Sequence, residues 1–468
     1  MHKPITTLLL LVSSMLAQAQ LIYQHVLEPE VGRYSAVVGA VPKGMDGAVL
    51  LAEYADLTDT TDSGLRLFEV DGMGIPLWSR RFTFDSLGYT GGYDEYLTRF
   101  GTKVLAEHPD GGYVFVGKAP GVDSTGLLLR TDGTGNLLWW KETPAVPWGL
   151  FTFPNGDIVV HGWAVRFQYG MGLERYNAEG DLLVEGATGI WAPVKNGVAL
   201  TDSTMALMNG EGLERNLALV TNEGVELDAY YVGGLVDDIV AGPDQDVLVS
   251  RSNMGSPQTH LIVRFDEALS PSPAVVWMDG APVSDQLQAM VLSPGNGLFL
   301  TGMRRINNTD SGQVVVYRLD AGYALVSEYL LDPNTIGTYP TLRSIGYCLA
   351  ACADGSVVVG GMADEDDGTT PQATGYYARL ADPSTNVPRD ESTSFQLASL
   401  GHGRYLINTA TGAAREMLIT DVLGHVVERS TVRTSPVMVD LSSQTSGVYL
   451  ISLHGADGSW GAQRIVLE

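Results

Sequence analysis

KVLAEHPDGGYVFVGKAPGVDSTGLLLRTDGTGNLLWWKET, residues 103–143, is written in short apolar segments separated by turn residues. Val104-Leu105-Ala106 runs into Pro109-Asp110-Gly111-Gly112, and Tyr113-Val114-Phe115-Val116-Gly117 follows. After a loose loop, Leu127-Leu128-Leu129-Arg130 meets Asp132-Gly133-Thr134-Gly135-Asn136, and Leu137-Leu138-Trp139-Trp140-Lys141 ends the unit. The apolar runs are too short for helices, and Gly, Asp and Asn supply the turn conformations that join antiparallel neighbours. The stretch therefore predicts one sheet of four short strands.

The same grammar recurs about every 40 to 47 residues across 35–382. Asp46-Gly47-Ala48-Val49-Leu50-Leu51 is echoed by Asn155-Gly156-Asp157-Ile158-Val159-Val160, Asn196-Gly197-Val198-Ala199-Leu200, Asp244-Gln245-Asp246-Val247-Leu248-Val249, Asn296-Gly297-Leu298-Phe299-Leu300 and Asp354-Gly355-Ser356-Val357-Val358-Val359. A four-stranded sheet cannot bury both faces alone, whereas sheets packed radially can. Seven units predict an all-β chain whose residues 20–382 form a seven-bladed β-propeller; an open solenoid is the alternative. The seventh unit stops after its third strand. Leu21-Ile22-Tyr23-Gln24-His25-Val26-Leu27 stands before the first unit with no partners of its own, so it is expected to close the ring and remove the raw edge.

The start of the chain reads as an export signal. His2 and Lys3 precede an apolar run at 5–16, and Ala17-Gln18-Ala19 forms an A-x-A site, so cleavage is expected between Ala19 and Gln20. No later run is long enough to span a bilayer. The net charge is −26, from 28 basic and 54 acidic residues, which repels nucleic acid and anionic membrane surfaces. Cys348 and Cys352 fall on one face of a strand about 13 Å apart, beyond disulfide reach, and are expected to be buried.

Residues 394–468, after a linker at 383–393, follow a different pattern. Met417-Leu418-Ile419-Thr420-Asp421-Val422-Leu423-Gly424 is followed by Val439-Asp440-Leu441-Ser442. Ser446-Gly447-Val448-Tyr449-Leu450-Ile451-Ser452-Leu453 comes next, and then Gln463-Arg464-Ile465-Val466-Leu467. This order of an apolar strand, a D-x-x-G turn, an "hDLS" strand, a "G-h-Y-h-h-x-h" strand and a last apolar strand resembles the type A C-terminal sorting domain of the type IX, or Por, secretion system of Bacteroidota. It lacks the opening Asn-Pro pair and the lysine-rich end. The resemblance implies a small Ig-like β-sandwich, delivery through the periplasm to the outer surface or medium, and the type IX machinery as partner. The upstream units are similar to the D-x-x-G-N-x-x-W propeller repeats found beside such domains, which implies a fold and no activity.

In a four-stranded propeller unit, the first and third turns share one face, and the middle loops and inter-unit connections share the other. The long loops, including 83–100, 164–171, 201–216 and 363–375, fall on the second face. They and their neighbours bring Tyr93, Tyr96, Trp148 and Tyr169 near Arg166, a set suited to stacking on sugars or gripping peptides. Trp78, Trp139 and Trp277, near the ends of fourth strands, are expected to pack between units. Asp71, Asp132, Asp266, Asp320 and Asp382 are expected to bond the backbone of their own turns. Asp364, Asp366 and Asp367 cluster carboxylates as Ca²⁺ prefers, without EF-hand spacing; no other cofactor is expected. No G-x-S-x-G, Walker or paired-histidine motif occurs. Export with non-catalytic binding of glycan, protein or matrix is the first reading. An extracellular carbohydrate-active hydrolase or lyase is the alternative.

Overall fold

In the computed structural model the described residues are 21–27, 33–56, 59, 62–89, 103–119, 125–144, 146–164, 170–186, 194–209, 216–233, 235–253, 258–281, 285–305, 312–331, 341–366, 371–381, 395–401, 404–409, 415–421, 426–432, 437–442, 444, 447–455 and 460–467. The chain divides into two compact units, 1–385 and 386–468. Among the described residues no helix is long and apolar enough to cross a membrane. The only helical turn among them is the short 3-10 segment Asp85–Leu87.

The first unit begins with β1 (Leu21–Val26) and then runs in antiparallel meanders. The first set is β2 (Arg33–Lys43), β3 (Gly47–Asp56), β4 (Ser63–Val70) and β5 (Pro76–Thr83). The second is β6 (Leu105–Glu107), β7 (Tyr113–Lys118), β8 (Gly126–Thr131) and β9 (Leu137–Thr143). The third is β10 (Val146–Thr152), β11 (Ile158–Ala164), β12 (Gly170–Tyr176) and β13 (Leu182–Glu185). The fourth is β14 (Val194–Ala199), β15 (Thr204–Asn209), β16 (Leu217–Thr221) and β17 (Glu226–Tyr230). The fifth is β18 (Leu235–Ala241), β19 (Val247–Asn253), β20 (Gln258–Phe265) and β21 (Val275–Ala281). The sixth is β22 (Asp285–Leu292), β23 (Leu298–Arg305), β24 (Gly312–Leu319) and β25 (Leu325–Leu331). The last is β26 (Thr341–Ala351), β27 (Val357–Asp366) and β28 (Pro371–Leu380), to which β1 adds antiparallel as the outer strand.

First strands of successive sets pack on one another in the cycle β2, β6, β10, β14, β18, β22, β26 and back to β2. Single parallel bridges, Gly312↔Arg343 and Tyr34↔Ala373, join the sixth, last and first sets edge to edge. Sheets arranged radially about a ring of inner strands are the architecture of a β-propeller. The core lies between successive sheets, with Leu50, Phe68, Tyr113, Phe115 and Tyr317 almost fully buried.

The third-to-fourth turns are built alike. The carboxylate Oδ1 of Asp71 accepts from the backbone N–H of Met73 and Ile75 at 2.8 and 2.9 Å. Asp132, Asp266 and Asp320 do the same for Thr134 and Asn136, Ala268 and Ser270, and Gly322 and Ala324. Those bonds hold the Asp132 carboxyl well below the usual carboxylate range. The third residue after the Asp is left-handed, with φ 78° at Gly74 and Gly135, which favours glycine there. Asp382 lies outside the described residues.

β5, β9, β13, β17 and β25 each carry an extra residue at the second position, between the paired positions of the third strand, whereas in β21 the extra residue is Trp277 at the third. In the first two sheets it is Leu77 and Leu138, both pushed into solvent, and the next residue is the tryptophan. Trp78 therefore sits at the start of its strand, not near the end. It covers Gly135 in the following turn, and Trp139 covers Gly180 and donates Nε1–H to Ala178 O at 3.1 Å. Trp277 packs edge-on against Tyr317 of the next sheet. These contacts bear out the expectation of packing between units.

β1 reproduces this arrangement. Leu21 pairs with Leu380 and Tyr23 with Arg379, leaving Ile22 as the extra residue. Tyr23 then lies against Gly74 of the first sheet, as Trp78 lies against Gly135. Tyr377 adds an O–H bond to Gly74 O at 3.1 Å, and Arg379 donates to Gly72 O. The N-terminal strand thus stands in a fourth-strand position of the last sheet.

The sequence reading of the fourth unit was displaced by one strand. Asn196-Gly197-Val198 belongs to β14, a first strand, and β15 lies inside the expected long loop 201–216. The true turn, Thr201-Asp202-Ser203, has no glycine. Thr201 Oγ1 makes it by accepting from the N–H of Ser203 and Thr204 at 3.1 and 3.0 Å.

The second unit has one sheet of β29 (Phe395–Gly401), β30 (Arg404–Thr409) and β33 (Val437–Asp440). The other comprises β31 (Arg415–Asp421), β32 (Val426–Val432), β34 (Gly447–Gly455) and β35 (Trp460–Leu467), in the order β32-β31-β34-β35. Tyr405, Ile407 and Val439 from the first pack with Met417, Ile419, Tyr449 and Ile451 from the second in one core. Cys348 and Cys352 are free and buried.

Tyr23→Ala removes the aromatic that covers Gly74 and is expected to lower stability by about 3 kcal/mol. Leu77→Ala, at an exposed extra position, should stay within about 0.5 kcal/mol of the parent. Chemical denaturation of the two variants measures the difference.

Candidate functional site

Six of the inner strands share a register break at a common level, and β26 has a second one at Thr341/Arg343. The breaks fall at Val37/Gly39, Pro147/Gly149, Val194/Asn196, Val236/Asp238, Leu287/Ala289 and Gly346/Cys348. The extra residues are Val38, Trp148, Lys195, Asp237, Gln288 and Tyr347. In the second sheet, Leu105↔Phe115 corresponds to Ala40↔Leu50, so Lys103 holds the equivalent place. Its backbone bridges to Gly149, and its carbonyl accepts from Leu150 N–H at 2.7 Å. A bulge bends its strand and re-aims the extra side chain, which suits a site more than a seam. The residue after each bulge is mostly small because inner strands crowd one another: a Cβ on Gly39 would lie 2.7 Å from Leu105 Cβ.

These strands enclose a cavity of about 290 Å³, lined by backbone and apolar side chains with Lys103 and Asp238 as its charged groups. Lys103 comes from the second sheet and Asp238 from the fifth, and their Nζ and Oδ1 are 2.9 Å apart. Asp238 is fully buried and also accepts from Asn196 Nδ2 at 2.6 Å and from the N–H of Ile239 and Met290 at 2.7 Å each. Lys103 Nζ donates further to Ile239 O. One carboxylate thereby ties β14, β18, β22 and the start of the second sheet together, with the charge compensation a buried carboxylate requires.

Beside it lies a polar seam between the fifth and sixth sheets. Ser252 and Ser250 donate to Asp237 Oδ2 at 2.8 and 3.4 Å. Ser252 Oγ is also 2.8 Å from His260 Nδ1. His260 stacks on Trp277 with centroids 5.2 Å apart. Across the seam, Asp285 pairs with Arg304 at 3.1 Å and bonds Tyr317 Oη, and Arg304 reaches Glu328 at 2.5 Å. Burial pushes the Asp237 carboxyl up to about 7 and pushes the His260 imidazolium down. A hydroxyl between carboxylate and imidazole is not a nucleophile relay, which needs the base in the middle. The arrangement can hold or release a proton near neutrality and can orient a polar ligand.

Of the residues expected from sequence, Trp148 is half-buried at the β10 bulge. Tyr93, Tyr96, Arg166, Tyr169, Asp367, Ala19 and Gln20 lie outside the described residues. Asp364 on β27 is half-buried and pairs with Arg343; burial raises its carboxyl. Asp366 is the last residue of β27. Among the described residues no group of three His, Cys, Asp or Glu side chains is placed to hold a metal. Lys103, Lys195, Asp237, Gln288 and Tyr347 were not anticipated. An inner-strand bulge leaves no turn residue behind, and only the paired register shows that these positions are equivalent.

No family model and no curated protein matches the chain. Among solved structures, virginiamycin B lyase from Staphylococcus aureus is similar at 12% identity, covering 78% of this chain and 100% of that one, with a TM-score of 0.46. The Neurospora crassa Pan2 WD40 domain is similar at 11% identity, 78% and 95% coverage and a TM-score of 0.46. PorZ, a bacterial surface component of the type-IX secretion system of Porphyromonas gingivalis, is similar at 11% identity, 92% and 81% coverage and a TM-score of 0.32.

Between pH 4 and 7 the folded chain holds a proton on Asp237 that the unfolded chain has released. This group therefore lowers stability as pH rises through that window, and the loss is complete above it. Asp237→Asn should match the parent near pH 4 and exceed it by on the order of 3 kcal/mol at pH 8, read by denaturant melts. Asp238→Ala, which takes from the half-buried Lys103 charge its carboxylate partner, should cost about 3 kcal/mol or more at every pH.

Proposed function

We propose that the protein is exported by the type IX secretion route and serves at the outer surface or in the medium as a non-catalytic, seven-bladed propeller that binds extracellular glycan. The cycle of inner strands and the fourth-strand register of β1 support the blade count. The observation that carries the binding reading is the set of inner-strand bulges. It puts Trp148, Lys103, Lys195, Asp237, Gln288 and Tyr347, with the apolar Val38, at one level around the axis, a mostly aromatic and polar selection where a purely structural ring would keep apolar residues. Tyr93, Tyr96, Arg166 and Tyr169, expected from sequence to join this set, lie outside the described residues. Sugars stack on aromatics and are oriented by such polar groups.

The export reading is supported by the second unit. Its sorting-type segments are its strands: Met417 to Asp421 in β31, Gly447 to Leu453 in β34, and the final segment in β35. Val439 and Leu441 of the "hDLS" segment are buried, and Ser442 N–H bonds Asp440 Oδ1 at 2.9 Å. The sandwich is read as Ig-like. No cofactor is required. A Ca²⁺ ion held by Asp364, Asp366 and Asp367 would brace the β27–β28 hairpin, and chelation would then lower the melting temperature.

The enzyme alternative draws on Asp237, whose raised carboxyl is the kind a general acid needs. Its Ser250 and Ser252 partners and its burial favour a positioning role. Turnover of a polysaccharide abolished by Asp237→Asn would replace the binding reading.

A truncated chain lacking 394–468 is expected to stay folded in the periplasm of a host with the type IX machinery; surface delivery of that chain would refute the export reading. On a glycan array the parent is expected to retain a ligand that Trp148→Ala releases with at least about a tenfold loss of affinity and little change in melting temperature. Unchanged capture would remove Trp148 from the site.

A further inference from the structure

The residue after the inner-strand bulge is small or apolar in five sheets and polar in two, where it is Asn196 and Asp238. The two polar ones touch: Asn196 Nδ2 donates to Asp238 Oδ1 at 2.6 Å. Lys103 Nζ, in the bulge place of the second sheet, lies 2.9 Å from that same oxygen. The amine of Lys103 and the amide of Asn196 therefore flank one carboxylate atom, and Asn196 Cγ is one covalent bond from Nδ2. Asn196 and Asp238 are fully buried.

All three side chains are held in place. Asp238 accepts from the N–H of Ile239 and Met290 at 2.7 Å each, and Lys103 Nζ also donates to Ile239 O. Groups fixed at such short range react as if at very high concentration. The walls around them are apolar, with Val104, Leu105, Val198, Val240 and Met290, which keeps hydrolysis from competing. A nucleophile, a carbonyl carbon bearing a leaving nitrogen, and a carboxylate in contact with both nitrogens are the parts of an acyl transfer.

We propose that Lys103 and Asn196 become joined in the folded protein by an isopeptide bond from Nζ to Cγ, with Asp238 as the proton carrier. The ion pair described above is the state before reaction. Asp238 takes one proton from the ammonium, and the freed lone pair attacks Cγ. Asp238 then gives that proton to Nδ2 as the Cγ–Nδ2 bond breaks, and takes the second proton from Nζ. Ammonia leaves into the axial cavity. The products are a secondary amide and a neutral Asp238 acid, so no bare charge stays buried. The step needs no oxidant. Cys348 and Cys352, the only cysteines of the chain, are free, so the ring has no disulfide. A bond from the second sheet to the fourth closes the chain between 103 and 196 into a loop and restricts the unfolded state as a long-loop disulfide does. It forms whether or not the axial site takes a glycan.

Peptide mapping of the purified full chain by mass spectrometry tests it. A branched peptide joining Lys103 to Asn196 is expected, lighter by about 17 Da than its two linear parts together. The branched peptide decides and the intact mass does not, because cyclisation of an N-terminal glutamine removes the same mass. Lys103→Arg keeps the ion pair but should yield only linear peptides, run more slowly on a denaturing gel and melt several degrees lower. Asp238→Asn should likewise leave Lys103 and Asn196 unjoined. Linear Lys103 and Asn196 peptides from the folded parent overturn the proposal, and a branched peptide in folded Asp238→Asn overturns the proton carrier. If Asp238→Asn fails to fold, the parent and Lys103→Arg decide by the same map.

Discussion

Strand β1 supplies the missing edge of the last sheet, and the rest of the propeller depends on that pairing. Without it β28 would present a row of unpaired N–H and C=O groups, and Gly74 would lose the aromatic that covers it. What makes the pairing specific is the register that β5 and β9 also show: an extra residue at position two and an aromatic at position three. Ile22 and Tyr23 satisfy it as Leu77 and Trp78 or Leu138 and Trp139 do. Since neighbouring sheets hold one another mainly through their faces, a ring with one seam open would leave two faces wet.

Inside the ring the constraint is crowding. The inner strands approach so closely that the residue after each bulge is Gly39, Val104, Gly149, Asn196, Asp238, Ala289 or Cys348. A single carboxylate at one of these small positions collects donors from several sheets. The bulge residue just before it is free of the ladder and carries the chemical variety. Structural order and ligand-facing variety thus occupy adjacent positions of one repeat.

Much of this was legible in the residues. The turn aspartates behave as their side-chain chemistry dictates, and Asp132 bonds its own turn as expected. The tryptophans do pack between sheets, but one strand-end from where they were expected, because a second-position bulge is invisible without the partner strand. The fourth unit was misread because Thr201 makes with a hydroxyl the turn that glycine makes elsewhere. Of the candidate contacts, Trp148 lies in the inner-strand set, while its companions were chosen from loops outside the described residues.

By itself the sequence determined the strand-turn grammar, the period, the spare N-terminal strand and the sorting-type pattern at its end, since all of these are local and written in turn residues and apolar alternation. Only the tertiary structure decided that Lys103 and Asn196 meet at Asp238, and that six bulges and Lys103 share one level. Those pairings join residues distant in sequence through register shifts and ring curvature. No local propensity encodes them, because the same residues would read as ordinary strand positions in any other register.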